Sequence, residues 1–490
     1  MNWSDKQLKI YETWEKTNKS LAIEAAPGSG KTTVLLEILK RSPVFKSKVF
    51  LAFNKSIQLE LEQKVSSEVD TFTLHSIGYR TLLKNSSNRY KLNEIKNWVL
   101  GKQIFDKKFK DQKKESFYLF SVSNLVDLYR MNMCSTKEEL IQVADKHGAD
   151  YFNGEIDDAL KLIEYLKTYN SSDHGKKPML IDYIDMIYLP VILLKDHHFP
   201  KYDIVMIDEC QDLNSLQFEL VKKLFKKRTR FCAVGDGFQA IYSFMGADKD
   251  VFSKIKNYPN TITLPLSYSY RCPSSVVQEA NKVFNFIESP KDQHEGKVVK
   301  EGNFKDIRSG NFILCRNNKP LIEMFLELLK RNKKTHIMGK DFGKGLLNVL
   351  SKLGDVNKDS INELLEKKES SLKEKGIRNP KTHSSYISLI EKLSIISMLF
   401  DHFKNISKLR EVIENMFKDK EDKDSIILST IHKSKGLESD TVYILAPELI
   451  PSEYAVTPLD MYQEQCLMYV AITRSKNKLI FVPMKNMYDF

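Results

Sequence analysis

The stretch Leu21–Thr33, LAIEAAPGSGKTT, decides the fold of this chain. A short apolar run, a loop of small residues and then a lysine with two threonines are typical of a strand, a phosphate-binding loop and a helix start. In such a loop, successive backbone N–H groups and the helix N-terminus bind phosphate oxygens. Ala25 replaces the first glycine of the general pattern, whereas Gly28 and Gly30 remain where the backbone must bend tightly. The sequence therefore predicts a nucleotide site.

A pair of acids completes this site. Lys31 is predicted to neutralise the β- and γ-phosphates, and the Thr32 hydroxyl to hold Mg²⁺. Asp208 and Glu209 follow the apolar run YDIVMI and therefore lie at the carboxyl end of a strand, beside the phosphate loop of a parallel sheet. We expect Asp208 to hold the metal ion and Glu209 to act as general base for the attacking water.

The composition bounds the class of protein. A chain of 490 residues that is 42% hydrophobic predicts several domains. Its net charge of +12 suits a polyanionic partner, although a solvated Lys-rich surface explains the charge equally well. The six cysteines show no C-x-x-C pair, which disfavours zinc and disulfides. No signal peptide and no apolar run of about 18 residues is present, so we expect a soluble, intracellular and cytoplasmic protein.

Strand–helix alternation predicts a parallel, doubly wound α/β fold. After an N-terminal helix capped at Ser4-Asp5, strands and helices alternate up to His75 and again from Tyr202. Between them, the stretch Tyr79–Pro190 is predicted to be a helical insertion without a strong strand. A second alternating unit begins past Arg271. A second charged helical stretch interrupts it, with a linker expected at Lys367–Pro380.

Other polar and aromatic groups follow predicted strands. Gln239 in VGDGFQAIYSFMGA is placed to reach a γ-phosphate or its water, and Tyr242 and Phe244 either stack on bases or belong to the core. Arg271 and Arg474 each follow an apolar element and either stabilise a transferring phosphoryl group or form surface ion pairs.

The order of these motifs resembles that of the superfamily 1 helicases of the UvrD/Rep/PcrA group. The likeness runs from Trp3 to Lys478 and leaves the two helical stretches unmatched. The motifs that carry it are SDKQ (4–7), AAPGSGKT (25–32), IDECQD (207–212), VGDGFQAIYSFMGA (234–247), LSYSYR (266–271), STIHKSKGLE (429–438) and YVAITR (469–474). Met245, Gly237 and Phe238 depart from the family pattern, which puts individual DNA contacts in question.

The resemblance implies a role for each matched position. The implied catalytic residues are Lys31, Asp208, Glu209, Gln239 and two arginine fingers, Arg271 and Arg474. The implied ATP-binding residues are Gln7, Ala26, Gly28, Ser29, Gly30, Lys31, Thr32, Thr33, Tyr270 and Glu438, with Mg²⁺ held by Thr32 and Asp208. The implied DNA-binding residues are Asn54, Lys55, Phe72, His75, Tyr242, Phe244 and His432.

The resemblance also implies an architecture of two RecA-like domains, each with a helical insertion. The first domain is expected at 1–85 and 196–267, with its insertion at 86–195. The second is expected at 268–340 and 425–490, and its insertion at 341–424 leaves room only for a reduced form of the family's 2B subdomain.

The function implied is an ATP-dependent DNA helicase that moves 3′ to 5′ on single-stranded DNA and unwinds tailed duplexes. Such a motor is expected to be a monomer, with a replication or repair protein as a possible partner. Three alternatives stay open: a translocase that displaces proteins without processive unwinding, an RNA-directed motor, and a nucleotide-dependent switch without motor activity.

Overall fold

The chain folds into two units that are described separately. The computed structural model describes residues 3–105, 112–146, 149, 151, 153–172, 174–175, 177–241, 249–374, 380–382, 384–418, 424–455 and 457–490. Their contacts group residues 1–26 and 30–267 into a first unit, and residues 27–29 and 268–490 into a second.

The first unit alternates strands and helices, with a helical insertion between β3 and β6. Its helices are α1 Asp5–Lys16, α2 Lys31–Arg41, α3 Lys55–Glu62, α4 Leu74–Lys84, α5 Lys96–Phe105, α6 Gln112–Asn132, α7 Lys137–Lys146, α8 Asn153–Ser171, α9 Asp185–Leu193, α10 Ser215–Lys223 and α11 Lys249–Lys256. Its strands are β1 Ser20–Ala25, β2 Lys48–Ala52, β3 Val69–Thr73, β4 Tyr90–Leu92, β5 Met179–Ile181, β6 Tyr202–Ile207, β7 Phe225–Gly235 and β8 Thr261–Leu266.

The main sheet of this unit brings three loops together. Its described strands pair in parallel in the order β3-β2-β6-β7-β1-β8. Neighbouring strands β6, β7 and β1 therefore end at one edge, where Asp208, Asp236 and the loop after Ala25 follow them. Strand β2 is buried throughout, as expected of a parallel sheet covered by helices on both faces.

The insertion is mainly helical, as predicted, and it contains one pair of short strands. Tyr90–Leu92 and Met179–Ile181 pair in parallel inside the stretch expected to have no strong strand. Each has three residues, too few for an alternating pattern to be recognised, and their pairing joins segments distant in the sequence. Apolar faces of α5, α6, α7 and α8 form the core of the insertion.

A buried ionic cluster fixes the base of the insertion. Lys96 and Asp185 are fully buried and paired with each other. Arg130, which is 2% exposed, donates to Asp185 at 2.8 Å and to Asp182 at 2.7 Å. Asp182 and Asp185 also accept each other's backbone N–H, at 2.8 and 3.0 Å. Because these residues come from α5, α6 and the start of α9, the cluster ties three elements together.

The second unit has its own parallel sheet. Its helices are α12 Ser274–Asn281, α13 Asn318–Lys330, α14 Lys340–Leu353, α15 Lys358–Glu374, α16 Ser384–Phe403, α17 Ile406–Met416 and α18 Pro458–Ile472. Its strands are β9 Lys297–Val299, β10 Phe312–Cys315, β11 Thr335–Met338, β12 Phe417–Lys418, β13 Ile426–Thr430, β14 Ser439–Leu445 and β15 Ser475–Val482. The described strands pair in parallel in the order β12-β11-β13-β10-β14-β15-β9.

The linker expected at Lys367–Pro380 is wrong for its first half. Helix α15 continues to Glu374, and residues 375–379 lie outside the described part of the chain. Ion pairs one turn apart, Glu363–Lys367 and Glu369–Lys373, stabilise this helix despite its high charge.

Two parallel α/β sheets with helical insertions confirm the predicted fold class. The predicted boundaries of the domains stay a prediction. All six cysteines are buried, and none of them is in a disulfide among the described residues. Among the described residues, we find no helix with the length and apolar character needed to cross a membrane.

Candidate nucleotide and nucleic-acid site

The loop after β1 has the backbone of a phosphate-binding loop. Gly28 has φ +69° and Gly30 has φ +81°, a left-handed conformation that favours glycine. Helix α2 begins directly afterwards at Lys31, so its N-terminal amides and the loop amides belong to one turn of chain. The Ser29 hydroxyl is fully buried and has no hydrogen-bond partner among the described residues.

Residues 27–29 of this loop group with the segment that follows β8. The Ser269 hydroxyl donates to the Pro27 carbonyl at 2.7 Å, and the Tyr270 amide donates to the Gly28 carbonyl at 3.0 Å. A Cβ atom at Gly28 would lie 2.3 Å from Cβ of Arg271, far inside contact distance. The close approach and the positive φ together require glycine at this position.

Two hydrogen-bonded pairs join α2 to the end of β6. Lys31 Nζ lies 2.8 and 2.9 Å from the carboxylate oxygens of Glu209. The Thr32 hydroxyl donates to Asp208 Oδ2 at 3.0 Å. The structure thus brings together the lysine, threonine and two acids that the sequence assigns to the phosphates, the metal ion and the water.

Burial and charge set the protonation of these groups. Burial lowers the pKa of Lys31, but attraction by Glu209, Asp236 and Asp208 outweighs it and raises that pKa above its usual value. Burial, followed by repulsion from Glu209, raises the pKa of Asp208 to about 6. Lys31 therefore keeps its positive charge despite its burial, as neutralisation of a phosphate requires.

Gln211 is a site residue that the sequence did not single out for a role. Its Nε2 donates to Glu209 Oε2 at 2.6 Å, and its Oε1 accepts from the Asp236 amide at 3.0 Å. Glu209 itself has φ +49°, so its backbone is held in a region that non-glycine residues rarely adopt. The position of Gln211 in IDECQD was visible in the sequence, but the bond to the loop after β7 was not.

The loop after β7 carries Gln239. Asp236 caps a short 3₁₀ helix, Gly237–Gln239, by accepting from the Phe238 amide at 3.0 Å. The Gln239 side chain is buried in this turn. Tyr242 and Phe244, expected to contact DNA, lie outside the described residues, and so does Met245.

Gln7 lies beside the phosphate loop. It is the third residue of α1, where its Oε1 accepts from the Ser4 amide at 3.0 Å in a capping box. A Cβ atom at Gly30 would be 3.8 Å from Gln7 Nε2. The cap therefore fixes one end of the Gln7 amide and turns its donor end toward the loop.

In the second unit, Arg271 pairs with Glu438. Arg271 Nε lies 2.6 Å from Glu438 Oε2, and Lys476 Nζ lies 3.5 Å from the other carboxylate oxygen. Burial raises the pKa of Glu438, but Arg271 and Lys476 lower it more, so the pKa falls below its usual value. Tyr270, next to Arg271, is 47% exposed. The predicted finger, ribose and adenine residues of this unit are thus brought together.

Arg474 occupies a different environment from Arg271. It is 1% exposed, and its Nε donates to the Val470 carbonyl at 3.0 Å. Its guanidinium also donates to the Leu437 carbonyl at 3.3 Å, in the segment that contains Glu438. In this arrangement Arg474 joins the end of α18 to the STIHKSKGLE segment.

Three of the residues expected to contact nucleic acid follow β2 or β3 in the first unit. Asn54 and Lys55 are exposed, and the Asn54 side chain caps α3 by accepting from the Ile57 amide at 2.9 Å. His75 is half-buried, and its ring meets Tyr183 edge to face at 6.5 Å between centroids. Tyr183 is 49% exposed. The sequence did not indicate it as a site residue, because it lies in the insertion, more than a hundred residues after His75.

His432 follows β13 and lies near an ion pair. Arg316, which follows the neighbouring strand β10, forms a two-pronged pair with Glu464 at 2.8 to 3.1 Å. Burial, with the positive charge of Arg316 as a smaller cause, lowers the pKa of His432 to about 4. His432 is therefore neutral at pH 7.

Two family models match this chain. The model described as UvrD/REP helicase N-terminal domain matches residues 3–260, and the UvrD-like helicase C-terminal domain matches residues 316–486.

Several curated proteins are similar over long stretches. F-box DNA helicase protein 1 of Schizosaccharomyces pombe is 26% identical over 97% of this chain and 57% of its own length. An ATP-dependent DNA helicase Rep of Buchnera aphidicola (subsp. Acyrthosiphon pisum) is 23% identical over 95% of this chain and 93% of its own length. ATP-dependent DNA helicase PcrA of Staphylococcus aureus is 26% identical over 56% of this chain and 39% of its own length. The chain thus spans little more than half of the first of these relatives.

Proposed function

Because this chain belongs to the UvrD/REP helicase family, we propose that it is an ATP-dependent DNA helicase that moves 3′ to 5′ on single-stranded DNA. The observation that carries the ATPase part is the pairing of Lys31 with Glu209 and of Thr32 with Asp208 at the edge of one sheet. The DNA part is supported by the family and by the names of relatives such as Rep and PcrA.

The phosphate loop fits a nucleoside triphosphate with its metal ion. The Ser29 hydroxyl has no hydrogen-bond partner among the described residues, and it suits phosphate oxygens together with the positively charged Lys31 and the two left-handed glycines. Thr32 and Asp208 would hold Mg²⁺, because hydroxyl and carboxylate oxygens are the ligands that it prefers. When bound, Mg²⁺ supplies positive charge against the β- and γ-phosphates.

Glu209 is proposed as the general base. Its carboxylate accepts the proton of the attacking water, while Lys31 neutralises charge on the phosphates. Gln211 acts as a positioning residue, because its amide fixes Glu209 Oε2 and at the same time holds the Asp236 amide. A change at the γ-phosphate sensed by Gln239 would reach Glu209 through the two hydrogen bonds of Gln211.

The second unit is proposed to supply the remaining ATP contacts. Arg271 and Arg474 act as arginine fingers on the transferring phosphoryl group. Tyr270 stacks on the adenine, which Gln7 reads through its amide, and Glu438 meets the ribose. The Arg271–Glu438 pair supports this assignment, because it holds the guanidinium and the carboxylate next to each other.

We propose that single-stranded DNA is bound by residues of both units. Phe72, His75 and Tyr183 would contact it from the first unit, and His432 from the second, with Asn54 and Lys55 on its phosphates. Aromatic rings tolerate any base sequence, since every base has a face to stack on. We propose that the enzyme acts as a monomer.

The deciding experiment compares two duplexes, one with a 3′ single-stranded tail and one with a 5′ tail, in ATP and Mg²⁺. Unwinding of only the 3′-tailed duplex is the expected result, and unwinding of only the 5′-tailed duplex would overturn the direction. DNA-stimulated hydrolysis without unwinding would make the protein a translocase. Stimulation by RNA alone would make it an RNA-directed motor, and hydrolysis indifferent to nucleic acid would contradict motor function.

A further inference from the structure

A groove of about 530 Å³ lies beside β3, the edge strand of the first unit's sheet. Its lining includes the buried side chains of Ile77 from α4, of Phe199, which precedes β6, and of Tyr202, the first residue of β6. None of the residues that line it belongs to the set assigned to ATP. The proposed ATP site therefore does not account for this groove.

Basic side chains surround this groove. Arg80 and Lys84 lie one turn apart on α4 and are exposed. Within the described part of the chain, neither of them forms an ion pair, whereas nearby Lys223 is paired with Asp196 at 2.6 Å. His197 and His198 also line the groove, with ring centroids 4.0 Å apart.

The groove has little negative charge to balance these cations. Asp70 is the one carboxylate among the described residues that line it, and it accepts a hydrogen bond from the Tyr202 hydroxyl at 2.8 Å. The Nδ1 atom of His198 is buried and finds no hydrogen-bond partner in the described ranges. A concave surface with uncompensated Arg and Lys side chains attracts anions, and phosphate is the group that both side chains bind well.

One aromatic ring belongs both to the lining of the groove and to the set of residues proposed to contact DNA. Phe72 lines the groove and is half-buried. The Arg80 guanidinium carbon lies 5.5 Å from the centre of its ring, in a cation–π contact. A base that stacks on Phe72 would therefore leave its phosphate close to Arg80. Aromatic rings beside a basic groove are the usual surface for single-stranded nucleic acid.

We propose that this groove binds two backbone phosphates of single-stranded DNA through Arg80 and Lys84. The proposal rests on the proposed function, because it takes DNA as the substrate. Inorganic phosphate or a free nucleotide offers the same chemical group, and the experiment separates these sources from a strand.

The test measures binding of a labelled single-stranded oligonucleotide by fluorescence anisotropy at several salt concentrations. The double variant Arg80→Ala/Lys84→Ala should bind about tenfold more weakly. The slope of log affinity against log salt should fall in magnitude by about 1.4, because each lost phosphate contact on a single strand accounts for about 0.7. Arg80→Lys/Lys84→Arg keeps both charges and should restore the slope.

The matched control is Lys19→Ala/Lys40→Ala, which removes two exposed charges from the same unit outside the groove. A slope for the groove variant equal to that of this control would overturn the proposal. So would a variant that loses competition by millimolar inorganic phosphate but keeps its oligonucleotide affinity. If wild type itself neither binds the oligonucleotide nor hydrolyses ATP faster with it, the proposed function fails instead.

Discussion

Two ionic clusters in the first unit differ in how far they are buried. In the nucleotide cluster, the Lys31 and Glu209 side chains keep 13% and 25% of their surface exposed, at the carboxyl edge of a sheet. In the insertion cluster, Lys96 and Asp185 have none and Arg130 has 2%. The first can exchange partners with a ligand, and the second cannot. A partly exposed ionic cluster is typical of a binding site, whereas a fully buried one is typical of a structural contact between elements.

The largest effect is expected from Lys31→Ala. Without its ammonium group the phosphates lose a cation, and hydrolysis should fall by about 10³–10⁵-fold, the range found when a cationic group is removed from a transferring phosphoryl group. Steady-state ATPase with single-stranded DNA measures this, and Lys19→Ala is the exposed control. Turnover within tenfold of wild type would mean that this cluster is not the nucleotide site.

Removal of Arg130 tests the closed cluster. Arg130→Met leaves Asp182 and Asp185 with less compensation in a buried place, and should cost about 3–5 kcal/mol. Amide hydrogen exchange should show the loss in α5, α6 and α9, with α2 and β1 unchanged.

Lys167→Met is the control, because Lys167 forms an exposed pair with Glu164 that contributes little. If protection in the insertion stays at its wild-type level, the cluster does not hold the three helices.

Gln211→Met tests whether the nucleotide cluster needs its link to the next loop. The variant keeps the side-chain volume but removes both hydrogen bonds, so kcat should fall about 10- to 100-fold. KM for ATP should stay near wild type, because no ATP contact is removed. Gln103→Met, on the exposed face of α5, is the control. A rise in KM at unchanged kcat would assign Gln211 to ATP binding instead.

The smallest effect concerns His432, a half-buried histidine whose pKa is lowered by burial and, to a smaller extent, by the positive charge of Arg316. Its pKa of about 4 when folded lies below the ordinary value of about 6.5 when unfolded. Above pH 6.5 both states are neutral. Between pH 6.5 and 4 mainly the unfolded state gains the proton. The free energy of unfolding therefore decreases as the pH is lowered, by about 1 kcal/mol at pH 5.5.

Thermal unfolding at pH 7.5 and 5.5 measures this loss. Wild type should lose more stability than His432→Gln between the two values. Equal losses would show that His432 titrates alike in both states.

The sequence predicted the nucleotide cluster because its residues form two short motifs, AAPGSGKT and IDECQD, next to strands that end together. It did not predict the insertion cluster, since Lys96, Arg130 and Asp185 belong to no motif and only the packing of three helices brings them together. Tyr183 beside His75 and the bond from Gln211 to Asp236 were missed for the same reason. Local patterns predict local geometry, whereas contacts between distant segments depend on the folded arrangement.

The burial of the cysteines has a practical consequence for experiments on this chain. All six thiols are buried, and burial raises the pKa of Cys134 to about 11 and that of Cys315 to about 12. Reagents such as maleimides attack the exposed thiolate, so the folded wild-type chain should label slowly. A single cysteine introduced on the surface would then take one fluorophore with little background. Single-molecule fluorescence measurements on this chain would thus not require prior removal of its own cysteines.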